Sequence, residues 1–301
     1  MIYHSKKENV NNQYLTNIFC VAFDNGLNLP VYQISHADNL EYKSTIPDNV
    51  DQYILMICGN EHHKSISHFL DDPKVKMVVK NYPKMKNISP TPETAQEYAA
   101  KCSPTGHIKL IVDPEPENVI TIPLGVCNNY NPNSFNQKRI PGGFIGQISE
   151  LRKQKVENIA DSFAHDTCPY TWAFYNGFGP FVQSKEFSSK TSLDSKAYSE
   201  FMSSFETSFV FSGASAETFR LFEAASAGCI IVHDILPDVW YYENLPYLPL
   251  PKSGECVLGV KEYIEKNKTY LKTATGKWWQ QSASPVAVGQ KIAATAKLIG
   301  L

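Results

Sequence analysis

Residues 209–232 read FVFSGASAETFRLFEAASAGCIIV, and the fold is decided in this window. The apolar run Phe209-Val210-Phe211 has the character of a buried strand, and Ser212-Gly213-Ala214-Ser215 are small residues that turn the chain. Residues 216–227 read as a helix, Gly228 stops it, and Cys229-Ile230-Ile231-Val232 forms a second apolar strand. Strand, helix and strand in so short a span is the unit of a parallel sheet covered by helices.

The same alternation runs through the rest of the chain. In the first half the strand candidates are residues 17–23, 31–35, 53–58, 76–81, 108–112 and 119–124, with helices at 63–70 and 92–101. Residues 128–143, NNYNPNSFNQKRIPGG, are poor in apolar side chains and have the composition of a linker. Beyond it, strands at 143–147, 172–175, 208–212 and 229–233 alternate with helices at 149–160, 195–205, 216–227, 256–270 and 285–298. The expectation is an α/β protein of two Rossmann-like, doubly wound domains facing across a cleft. Residues 1–140 would form one domain and 141–301 the other, with a return of the last helix to the N-terminal domain left open. Ligands of such sheets bind at the carboxyl ends of the strands, so the cleft is where function is sought.

Bulk composition narrows the choice of partners. The 301 residues carry 28 Lys+Arg against 30 Asp+Glu, a net charge of −2, which argues against a nucleic-acid binder held by a basic surface. No run of 18 apolar residues reads as a membrane span, and the N-terminus lacks the apolar core of a secretory signal. The seven cysteines are scattered, odd in number and never paired as C-x-x-C, which suits buried thiols in a reducing cytoplasm. Only three of the basic residues are arginines: Arg139, Arg152 and Arg220. In a lysine-rich background, a planar guanidinium fork is worth locating first.

One of the three lies in the opening window. The turn 212–215, Ser215 included, leaves backbone N–H groups free before a helix start, where the helix dipole favours an anion. Arg220 follows one turn into the helix and Glu223 at i+3, so the two share a face. Arginine for phosphate oxygens and glutamate for ribose hydroxyls would suit a nucleoside diphosphate. The plain alternative is an intrahelical ion pair on a solvated face.

Here a family resemblance enters. Thr218-Phe219-Arg220-Leu221-Phe222-Glu223-Ala224, followed by Ala227-Gly228-Cys229-Ile230-Ile231-Val232, resembles the S-x-R-L-x-E-A-x-x-x-G-C-I-P-V signature of exostosin-like glycosyltransferases (family 47) and of the related ribitol xylosyltransferase-type enzymes. Lys80-Asn81-Tyr82-Pro83 is similar to an R-N/Q-Y-P element, Ile122-Pro123-Leu124-Gly125 to I-P-L-G, and Phe144-Ile145-Gly146-Gln147 with Arg152 to F-x-G-x…R, in the same order. The resemblance implies a GT-B fold whose C-terminal domain holds a nucleotide-sugar donor, a UDP-sugar first among them, and whose N-terminal domain presents the acceptor. It gives Arg220 the diphosphate, Glu223 the ribose and Arg152 a place near the phosphates, with Gly146, Ser215 and Thr218 completing the donor set. Thr218 stands for the usual Ser, Ile231 for Pro, and Lys80 for Arg, which loses a planar fork. Glu217 and Glu223 are too close to be the E-x7-E pair of many retaining GT-B enzymes, so inversion is the expected course.

Inversion needs a base that takes the proton of the acceptor hydroxyl from the N-terminal side of the cleft. Glu61, just past the apolar strand 53–58, is preferred, and Asp24, past the strand candidate 17–23, is second. Adjacent His62 and His63 cannot easily clasp one metal on a helix, and the cleft has no D-x-D element, so no metal and no cofactor beyond the co-substrate is expected. Trp240-Tyr241-Tyr242 and Trp278-Trp279 are assigned to packing before ligand stacking. The reading is a cytoplasmic, metal-independent glycosyltransferase acting on a hydroxyl of a glycan or polyol. Its rivals are a phage-type DNA-modifying glucosyltransferase and a non-catalytic nucleotide-sugar or glycan-binding module.

Overall fold

The structure is a computed structural model that describes residues 2–4, 11–35, 46–59, 65–85, 109–132, 140–147, 171–176, 179–181, 195–212, 216–233, 236–250 and 254–301. Its first half contains β1 (Ile2–His4), α1 (Asn12–Asp24), β2 (Val31–Ile34), β3 (Tyr53–Ile57), α2 (Ser67–Leu70), β4 (Val75–Lys80), β5 (Lys109–Leu110) and β6 (Val119–Thr121). Five of these strands form a parallel sheet in the order β1-β2-β3-β4-β6. Successive residues of β3 point to opposite faces, and both faces are buried. Ile54 and Met56 join Ile18, Phe19, Val79 and Ile292, whereas Tyr53, Leu55 and Ile57 join Tyr32, Phe69 and Val78.

The second half contains β7 (Ile140–Gln147), β8 (Thr171–Asn176), β9 (Gly179–Phe181), α3 (Ser195–Ser204), β10 (Phe205–Val210), α4 (Phe219–Ser226), β11 (Ile230–His233), β12 (Leu236–Pro237), β13 (Leu248–Pro249), α5 (Gly254–Trp278) and α6 (Pro285–Leu298). Its sheet has the order β13-β11-β10-β7-β8-β9, parallel except for β9. From β7 the chain moves outward to β8, then returns to the other side of β7 for β10 and β11. The strand order therefore reverses between β7 and β10.

The two halves are tied in several places. β5 pairs with β12, and Tyr82 and Leu124 from the first half pack among Phe222, Tyr241, Tyr242 and Trp278 of the second. Phe222, Tyr242 and Trp278 lie nearly parallel, centroids 6.0–6.3 Å apart, which makes these aromatics core side chains. A five-residue π-helical turn (Trp279–Ala283) follows α5, and α6 then packs on α1. A Cβ at Gly289 would overlap the α1 backbone at Ile18 and the side chain of Val21, so glycine allows the two helices to meet closely. Among the described residues no helix is long and apolar enough to cross a membrane.

Residues 17–23, read as the first strand, belong to α1, and the first strand of the sheet is β1. The run IFCVAF hides the helical period in a short window because Cys20, on the exposed face, is itself apolar and the half-buried Val21 and Phe23 flank the buried stripe. The buried set Tyr14, Leu15, Ile18, Phe19 and Ala22 restores that period.

Candidate active site

The reversal between β7 and β10 is a topological switch point, where a doubly wound sheet opens a crevice at its carboxyl edge. Gly146 sits there, near the end of β7, and Arg220, in the first turn of α4, lies directly over it. A Cβ on Gly146 would fall on Nε and Cζ of Arg220, so only glycine leaves room for the guanidinium. Phe144, two residues earlier and therefore on the same face, places its ring 5.6 Å from the guanidinium carbon. The Nε atom of Arg220 is buried and has no hydrogen-bond partner among the described residues. Thr218 is the N-cap residue, with extended backbone at φ −140° and ψ 147°, yet its hydroxyl caps nothing. That hydroxyl is also buried and, among the described residues, unpartnered, on a residue only 7% exposed. A helix start with a cap hydroxyl and a guanidinium turned to the same place has the chemistry to receive an anion.

Glu223, the residue matched to a ribose, is 2% exposed and already engaged. Tyr198 of α3 donates to one carboxylate oxygen at 2.7 Å, and the Cys127 N–H donates to the other at 3.4 Å. The hydroxyl of Tyr130 reaches the backbone carbonyl of Glu223 at 2.8 Å. Glu223 thus clasps the segment that crosses from the first sheet to the second. No ion pair joins it to Arg220 among the described residues, so the helix face does not hold a solvated Arg–Glu pair.

A second carboxylate lies at the junction of the halves. Glu217, immediately before the cap, is 3% exposed, and Tyr241 and Tyr242 both donate to its Oε1, at 2.6 and 2.9 Å. Burial pushes its carboxyl up to about 7, while the tyrosine hydrogen bonds and the charge of Lys80 pull the other way. Lys80 closes β4, is 3% exposed, donates to the Tyr82 carbonyl at 2.9 Å and pairs with Glu115 at 2.7 Å. Trp240 extends this contact by donating to the Thr121 carbonyl of β6 at 2.8 Å. Asn81 holds the carbonyls of Ile122 and Pro123 at 3.3 and 3.0 Å, so two of the matched motifs meet in one network. Gly125 closes the second motif at φ +70°, against the ring of Tyr14.

Of the candidate residues, Gly146, Thr218, Arg220 and Glu223 come together around α4. Asp24 does not join them. It ends α1, exposed to solvent, rather than following a strand. The helix leads from the crossing segment, where Asn11 donates to the Leu124 carbonyl, toward the amino end of β2. At 1.5 Å per residue its 13 residues place Asp24 roughly 18 Å along the axis from that contact. Glu61, Arg152 and Ser215 lie outside the described residues. Sequence reasoning missed the roles of Glu217, Tyr198, Tyr241 and Tyr242. The nearest signal was the unusual acid directly before a helix cap, and nothing local showed which tyrosines would face it.

No family model matches the sequence, and no curated protein sequence matches it. Solved structures do resemble the fold. The GtfA/B complex matches 95% of this chain with a TM-score of 0.50 at 11% identity, and the chain spans 61% of its length. HepE (Alr3699) of Anabaena, solved in complex with UDP-glucose, matches 99% of both chains with a TM-score of 0.50 at 9% identity. AviGT4, a glycosyltransferase involved in avilamycin A biosynthesis, matches 97% of this chain and 90% of its own, with a TM-score of 0.50 at 10% identity. At such identities the likeness is one of fold, and the fold is GT-B: two Rossmann-like α/β domains facing across a cleft.

Proposed function

We propose that the protein is a glycosyltransferase that moves a sugar from a nucleoside-diphosphate donor to a hydroxyl of a glycan or polyol. The observation that carries this reading is Arg220, its Nε unpartnered over Gly146, beside the unused cap hydroxyl of Thr218 at the switch point. A diphosphate seated there would take hydrogen bonds from the guanidinium, the cap hydroxyl and the first turn of α4. These groups would also stabilise the charge that grows on the leaving diphosphate as the glycosidic bond breaks. Because they supply the positive charge themselves, the reading includes no metal ion. The exostosin-like motifs support it, since the segments carrying them converge on α4 and on the junction beneath it. A UDP-sugar is the donor we favour, in line with the UDP-glucose in the HepE structure.

The acceptor would enter from the first domain, and inversion would follow from direct attack assisted by one base. Glu61, four residues past the carboxyl end of β3, is the base we propose. Asp24, at the far end of α1, takes no part in this reading. Thermal shift and calorimetry with UDP-, GDP-, CMP- and TDP-sugars test the donor. Stabilisation by one nucleotide class, weakened in Arg220→Lys, supports the reading, and the absence of any nucleotide binding ends it. Donor turnover lost in Glu61→Gln with binding intact separates an enzyme from a binding module.

A further inference from the structure

The ion pair between Lys80 and Glu115 has no part in the donor site, yet it stands where the first sheet meets the second domain. Lys80 closes β4 at the carboxyl edge of the parallel sheet, the edge where ligands of such sheets bind. Its ammonium is 3% exposed and is held by the Tyr82 carbonyl and by Oε1 of Glu115. Tyr82 lies in one buried cluster with Leu221 and Phe222 of α4, the helix that carries Arg220. The pair is therefore on the side of the first domain that meets the candidate donor helix. Glu115 belongs to a segment anchored elsewhere. Upstream, β5 pairs with β12 and the Asp238 N–H donates to the Leu110 carbonyl at 2.8 Å. The Asp113 N–H donates to the Lys84 carbonyl at 2.8 Å, and downstream β6 joins β4. With these anchors in place, fastening the segment does not call for a buried ion pair, whose desolvation cost two apolar side chains would avoid. Oε1 of Glu115 is buried against the ammonium, but the side chain is 22% exposed and Oε2 bonds to no described residue. Thr121 is the register partner of Lys80 and shares its face of the sheet, with a buried hydroxyl that has no partner among the described residues. A fixed carboxylate oxygen near an unused hydroxyl suits the neighbouring hydroxyls of a sugar or alditol, each of which both donates and accepts.

We propose that Glu115 binds the acceptor: its free oxygen takes a hydrogen bond from an acceptor hydroxyl other than the one that reacts, and Lys80 holds the carboxylate in place for it. The inference rests on the glycosyltransferase reading and deepens it by naming a contact on the acceptor side. Glu61 keeps the role of base, and Glu115 takes no proton. Lys80 acts through Glu115 and is a positioning residue. Glutamine at 115 can still accept from Lys80 through Oε1, but it turns a donating amide where the carboxylate offered an acceptor, so the contact is lost while the shape is kept.

Saturation-transfer NMR with methyl glucoside, methyl galactoside, N-acetylglucosamine, glycerol and ribitol, each in the presence of UDP, reads acceptor binding. Transfer from UDP-glucose to the members that bind gives KM and kcat. Glu115→Gln should weaken the bound sugar or alditol about tenfold or more, seen as a rise in KM. At saturating acceptor kcat should hold, as should the Kd of UDP-glucose. Lys80→Met should raise KM in the same way, and the double variant should be little worse than Glu115→Gln alone. A purely structural ion pair would lower stability in both variants and leave acceptor binding unchanged, and that result overturns the assignment. A weaker UDP-glucose complex with UDP affinity unchanged would put the carboxylate on the donor's sugar and overturns it too. If UDP-glucose binds through Arg220 while no panel member binds through Glu115, the acceptor contact falls and the donor reading stands. If a panel member binds through Glu115 while no nucleotide binds, the contact stands and the donor reading falls.

Discussion

Replacing Gly146 by alanine is the sharpest test of the site, because the added methyl would land on the guanidinium itself. The built Cβ overlaps Nε and Cζ of Arg220, so the side chain must swing away from its place over Phe144. Gly146 is not among the glycines with positive φ, so alanine suits the strand backbone and the fold should survive. What is lost is the placement of a charged donor. Hydrogen bonds to charged groups contribute about 1.5–3 kcal/mol each, and about 1.4 kcal/mol is tenfold in affinity. Loss of one such contact therefore weakens the donor about 10- to 150-fold, while the stacking over Phe144 forfeits only about 0.5–1 kcal/mol of stability. Isothermal calorimetry on Gly146→Ala, Arg220→Lys and the double variant reads the effect. The double variant should be little weaker than the worse single one, since both remove the same contact. Wild-type affinity in Gly146→Ala, or fully additive losses, would refute the reasoning.

Other consequences can be checked in parallel. For Glu217, whose folded pKa of about 7 lies above the ordinary 4.5, the folded state binds the proton more tightly. Wild-type stability should fall relative to Glu217→Gln as pH rises from about 4.5 to 7, by a limit of about 3 kcal/mol, then level off; urea titrations across pH 4–8 showing a constant difference contradict this. Gly125→Ala meets both a positive φ of 70° and the Tyr14 ring, so it should lower stability by about 2 kcal/mol or more in the same assay. Tyr198→Phe strips a buried carboxylate of a donor and should cost about 1.5–3 kcal/mol, partly recovered when Glu223 is also changed to Gln. If Glu223 is a clasp, Glu223→Gln will keep the wild-type preference for UDP over 2′-deoxy-UDP; loss of that preference would return the carboxylate to the ribose.

The sequence by itself determined the class of fold and pointed to the segment proposed as the donor site. Alternating strands and helices are local patterns, so β2, β3, β4, β7, β10 and β11 were legible from apolar runs, and the pairing of glycine and arginine motifs was legible as an ordered set. It failed at α1, where an apolar Cys20 on the exposed face masked the helical period over a short window and made an exposed helix end look like the end of a strand. Tertiary structure alone decided what the polar side chains do, because their partners are far away in the chain. Cys127 meets Glu223 across 96 positions, Trp240 meets Thr121 across 119, and Glu217 finds Tyr241 and Tyr242 at 24 and 25. Desolvation, which makes Glu217 titrate near neutrality and turns Glu223 inward, depends on everything packed around a group. No local pattern of residues carries that information.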